Sequence, residues 1–99
     1  MGDPDVEVLL AAAARVEALA ARTTPGTWTA GGLLASRPEV VAVLPDGSTQ
    51  HVAEARAGTA EWIRTLSPAL AAPLGAWLRA AASAPVDPHA LVVARLLAG

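Results

Sequence analysis

Apolar residues recur at helical spacing at both ends of the chain, and the interval between them changes to short β-branched runs. After Asp3-Pro4-Asp5, the positions Val6, Leu9, Leu10, Ala13, Val16 and Ala20 form one stripe with Leu19 at its edge. Glu7, Arg15, Glu17 and Arg22 lie off it. Asp3 can cap, Pro4 suits the first helical position, and Asp5 and Glu7 lie near the positive end of the helix dipole. The pattern predicts an amphipathic helix that ends before Thr24-Pro25-Gly26.

Residues 39–44, EVVAVL, read as a strand, and Leu44-Pro45-Asp46-Gly47-Ser48 reads as its turn. Proline fits the first central position of a type I turn, aspartate the second, and glycine the left-handed position that follows. That register sets Val40, Ala42 and Leu44 on a face with Val52, Gln50 and Ser48, and sets Val41 and Val43 on the other with His51 and Thr49. Valine on both faces implies that helices cover one and that a partner chain covers part of the other. A preceding strand is expected over residues 27–34, broken by Gly31-Gly32.

Beyond Ala55 the helical period returns. Gly58-Thr59 is expected to start a short helix through Leu66. Ser67-Pro68 is expected to cap the next, with Leu70, Leu74, Trp77, Leu78 and Ala81 as its stripe, and Asp87-Pro88 starts the last. Pro73, six residues into the third of these four helices, should bend or restart it. The fold class is therefore α+β, in the order α-β-β-β-α-α-α. A two- or three-stranded antiparallel sheet packs on helices carrying Leu9, Val16, Trp62, Leu70, Leu74 and Trp77, in a single domain spanning 1–99.

Composition sharpens this. Apolar residues make up 54% of the chain, but about a quarter of all residues are alanine and only 3% are aromatic. Alanine contributes little at about 25 cal/mol per Å² of buried apolar surface, so a homodimer would enlarge a thin core. The net charge of −2 and seven singly placed arginines disfavour nucleic-acid binding. Cysteine is absent, which excludes disulfides and thiolate chemistry. The acidic start of the chain is a poor secretory signal, and no apolar run reaches a membrane span uninterrupted. A cytoplasmic location is expected.

Several local strings carry a resemblance. Thr24-Pro25-Gly26-x-Trp28 is followed by the Asp-Gly turn, Val52-Ala53-Glu54-Ala55, Ala60-Glu61-Trp62-Ile63, Ser67-Pro68-Ala69-Leu70 and Ala76-Trp77-Leu78. This order resembles small uncharacterised proteins of actinomycetes and their phages, which in turn are similar to the Ead-type phage early proteins. The chain departs from that pattern at Thr27, where a second proline is usual, and at Trp62, where a smaller aromatic is typical. The lysine-free composition suits a high-GC genome. The resemblance implies an accessory phage or prophage protein with no established enzymatic activity.

No constellation for catalysis, metal or cofactor stands out. His51 and His89 are the only imidazoles, each with a single spaced carboxylate, Glu54 and Asp87 respectively, whereas zinc takes three or four protein ligands. A hydrolase would need one of these histidines. Gly31-Gly32 lacks the rest of a phosphate-binding motif. Two candidate binding surfaces are carried forward. One is the Val41, Val43 and His51 face of the hairpin, an apolar centre with a polar rim, which suits a protein partner or a second copy of this chain. The other is Arg56, Gly58, Thr59 and Arg64, where helix amides beside arginines could hold an anion, the basis of a small-molecule or nucleotide sensor. An exposed tryptophan in a chain with so few aromatics would itself mark an interface.

Overall fold

The computed structural model describes residues 2–31, 38–83 and 85–99. It contains helices α1 (Pro4–Ala21), α2 (Ala57–Thr65), α3 (Ala71–Ala81) and α4 (Pro88–Ala98), strands β1 (Thr27–Gly31), β2 (Glu39–Val43) and β3 (Thr49–Glu54), and a 3-10 turn at Pro68–Leu70. The fold is α+β, in the order the pattern predicts. The part of the expected first strand at 32–34 lies outside the described residues. Two compact units emerge: Met1–Arg22 with Leu70–Gly99, and Thr23–Ala69.

The first unit is a helical layer in which α1 packs along both α3 and α4, while α3 and α4 touch each other lightly. The Asp3 carboxylate accepts the Asp5 amide at 2.9 Å, with Pro4 in the first turn. At α4, Asp87 does the same for the amides of His89 and Ala90. The buried cluster is Leu9, Ala12, Ala13, Leu78, Ala90, Leu91 and Ala94, bordered by Val8, Leu74, Val86 and Leu97. Leu9 and Leu78 are its largest fully buried side chains; the rest is mostly alanine. Small side chains let the helix backbones approach closely, and close approach determines which large residues stay outside.

That closeness corrects several expected core positions. Leu10 and Leu19 are exposed, and Ala12 takes the buried place on α1. On α3 the buried residues are Ala71, Gly75 and Leu78, so Trp77, expected within the core stripe, is instead 41% exposed, and Leu70 before the helix is 39% exposed. Val16 and Leu74 are half-buried, on the expected side. Ser67 does not cap α3: the N-cap is Leu70, without a side-chain hydrogen bond, and Pro68 opens the 3-10 turn. The α-helix restarts at Ala71, which puts Pro73 in the first turn, where a missing N–H costs no intrahelical bond.

The second unit is a three-stranded antiparallel sheet, β1-β2-β3, with α2 packed over β1 and β2. Its hairpin turn forms as the sequence predicts. The Gly47 amide donates to the Leu44 carbonyl at 2.9 Å, the Leu44 amide to the Ser48 carbonyl at 2.8 Å, and Gly47 adopts φ +85°. The Asp46 carboxylate accepts the Ser48 hydroxyl and amide, which hold it below its ordinary pKa of 3.8. Entry to β1 depends on Gly26, at φ +97°, where a Cβ would lie 2.5 Å from the Val43 carbonyl oxygen. The Trp28 indole N–H donates to the Thr24 carbonyl at 3.1 Å and fixes the same entry.

One part of the expected register shifts. Val43 pairs with Thr49, Ala42 with Gln50 and Val41 with His51, but Val40 pairs with Ala53, which leaves Val52 as the extra residue of a bulge. Val40 and Ala42 are fully buried, as is Ala60 of α2. Trp62, expected in the core, instead stands 67% exposed.

Candidate functional site

The two candidate surfaces both belong to the sheet-and-α2 unit. On the sheet, pairing sets Thr27 beside Val43 and Thr49, and Thr29 beside Val41 and His51. Side chains alternate along strands, so these residues and Glu39 share the face opposite Val40 and Ala42. Val41 and Val43 are half-buried at its centre, and Thr27, Thr29, Thr49 and His51 are exposed around them. The apolar centre with a polar rim is present. The His51 imidazole Nδ1 meets the Glu39 carboxylate across the strands, both groups open to solvent, so the carboxylate partner of His51 is Glu39 and not Glu54.

The start of α2 differs from the expected anion cradle. Arg56 is the N-cap by backbone conformation (φ −65°, ψ 156°), and no side chain caps the helix. Gly58 and Thr59 lie inside the first turn rather than at the cap, and all three residues are exposed. Arg64 sits in the last turn, about 12 Å further along the axis at 1.5 Å per residue, and its Nε donates to Glu61 at 3.0 Å. Arg64 is thus engaged by Glu61 in the last turn, away from the amide end that Arg56 flanks. Val41, Val43 and His51 are brought together, whereas Arg64 is separated from Arg56, Gly58 and Thr59.

The residue that stands out is Trp62. It is two-thirds exposed, with the C-cap residue Leu66 about half exposed one turn later, so α2 and its C-cap present two large apolar side chains to solvent. Ala60 and the half-buried Ile63 lie elsewhere around the helix. Hydrophobic periodicity alone counts any tryptophan beside isoleucine as core, and that is why Trp62 was expected there. The signal that identifies it is geometric: Trp62 is two residues from Ala60, which puts it nearly opposite around a helix of 3.6 residues per turn.

Among the described residues, no group of three His, Cys, Asp or Glu side chains could hold a metal ion, and no helix is long and apolar enough to cross a membrane. His89 is an exposed first-turn residue of α4, and Asp87 is engaged as its cap. Comparison with family models, with curated proteins and with solved structures finds no match.

Proposed function

We propose that this chain is a non-enzymatic protein-interaction module, in the setting that its resemblance to phage early proteins implies: an accessory phage or prophage protein that binds itself or a host factor. The observation that carries the reading is Trp62. Burying an indole would strengthen a core this poor in large side chains, yet Trp62 is held at the surface with Leu66 one turn away. Tryptophan is the residue type most enriched among the side chains that dominate binding energy at interfaces. The Val41 and Val43 face adds a second surface with an apolar centre.

The test pairs size-exclusion chromatography with light scattering and affinity capture from an actinobacterial lysate, for the parent and for Trp62→Arg. The reading expects assembly or capture by the parent that is lost in Trp62→Arg, with its circular dichroism unchanged. A monomeric parent that captures nothing in a Trp62-dependent way refutes it.

A further inference from the structure

We propose that the partner is a second copy of this chain, joined edge to edge through β1 into a continuous six-stranded sheet; this rests on the interaction reading above and names its occupant. The two edges of the sheet are unlike. β3 carries a bulge at Val52 and the ionisable His51 and Glu54, devices that turn other strands away. β1, with the sequence TWTAG, carries no charge, no proline and no bulge. Among the described residues no backbone hydrogen bond reaches β1 from outside the sheet.

The strand is also complementary to itself. In an antiparallel β1 pair with Thr29 on the two-fold axis, Thr29 meets Thr29 of the second copy, Trp28 lies opposite Ala30, and Thr27 lies opposite Gly31. Each large residue is then matched by a small one, and no like charges meet. A two-fold axis through Thr29 makes the interface isologous, so it closes at two copies.

The position of α2 supports the same edge. It packs over β1 and β2, so in the pair two α2 helices flank the axis on one side of the sheet. With strands about 4.8 Å apart, helices centred over the β1–β2 seams stand roughly 10 Å from each other, the spacing of packed helices. Trp62 and the C-cap residue Leu66 lie away from buried Ala60 and stand exposed on the outer side of this helix pair. On the other side, the Thr27, Thr29, Val41 and Val43 face becomes one surface twice as wide.

The chain has no cysteine, so a single introduced thiol reports the axis directly. Opposed Cα atoms in an antiparallel pair lie about 4.5 or 5.5 Å apart, within disulfide range. Under mild oxidation Thr29→Cys should form a covalent dimer rapidly, while Thr49→Cys on β3 should cross-link only at the slow rate of random collision. Thr29→Lys, at an exposed position, should keep its circular dichroism and fall to half the mass of the parent in light scattering. The pairing is overturned by a monomeric parent, by Thr29→Cys cross-linking no faster than Thr49→Cys, or by a Thr29→Lys protein that still assembles. If any of these occurs while a Trp62-dependent capture of another protein persists, the pairing fails and the interaction reading survives. If the parent is monomeric and captures nothing, both fail.

Discussion

Gly75 is a buried glycine inside α3, and replacing it by alanine sets two effects of comparable size against each other. Alanine in a helix interior is favoured over glycine by about 1 kcal/mol. Yet a Cβ at this position would lie 3.0 Å from Glu17 Cδ and 3.2 Å from Oε2. Glu17 is not free to swing aside, because Arg79 grips both of its oxygens, with one N–H···O distance at 3.0 Å. The carboxylate must yield a few tenths of an ångström and strain that fork, or release it. Gly75→Ala in the parent should therefore gain clearly less than about 1 kcal/mol, whereas in a Glu17→Ala background, where the obstructing atoms are gone, it should gain the full propensity difference of about 1 kcal/mol. For a domain of this size that gain is about 4–8 °C in Tm. Thermal and urea unfolding of the four proteins of the cycle, followed by circular dichroism, measures it. Equal effects of Gly75→Ala in both backgrounds would refute the claim that the glycine exists to admit Glu17.

Leu78→Ala should cost about 3–5 kcal/mol in urea unfolding, because the neighbouring alanines Ala12, Ala13, Ala90 and Ala94 carry only methyl groups, which cannot swing in to fill the cavity; a loss below about 1 kcal/mol would show that the helical core is elsewhere. Trp62→Ala should change stability by less than about 1 kcal/mol in the monomer, so a core-sized loss there would return the indole to the interior. Asp87→Ala removes two capping hydrogen bonds and should cost about 1 kcal/mol, with Asp87→Asn nearly neutral. Hydrogen bonds from Arg79 hold the Glu17 carboxyl below its ordinary pKa of 4.5, so the stability it contributes is complete above that value and is lost as the pH falls through the depressed one. An acid titration of stability should be shallower in Arg79→Gln than in the parent, and an unchanged profile would remove the pair from the acid response.

What the sequence shows and what it hides divide along physical lines. Local signals were legible: Asp3-Pro4 and Asp87-Pro88 start helices because cap and ring geometry act within two residues, and Pro45-Asp46-Gly47 specifies its turn for the same reason. The helix faces were less legible. In an alanine-rich helix the period is weakly marked, so Leu10 outranked Ala12 by hydropathy although close helix packing selects the smaller residue. The bulge at Val52 was hidden because Val52 and Ala53 are both apolar and either can oppose Val40. Glu17 and Arg79 lie 62 positions apart, beyond any local pattern. Of the candidate sites, the sheet face follows from strand alternation, whereas the Arg56 to Arg64 grouping joins residues that the helix spreads from its N-cap to its last turn.

The helical unit is discontinuous in sequence, and this sets an order of events during synthesis. The partners of α1 lie on α3 and α4, beyond the whole of the sheet-and-α2 unit. As the chain emerges, α1 must wait with Leu9 and its alanine seam unpaired until Leu78 and then Leu91 arrive. The sheet, whose strands follow one another closely, can pair before then, which shortens the effective loop that α1 and α3 have to close. Chain made up to α2 and no further therefore holds α1 without the two helices whose residues share the buried cluster of Leu9.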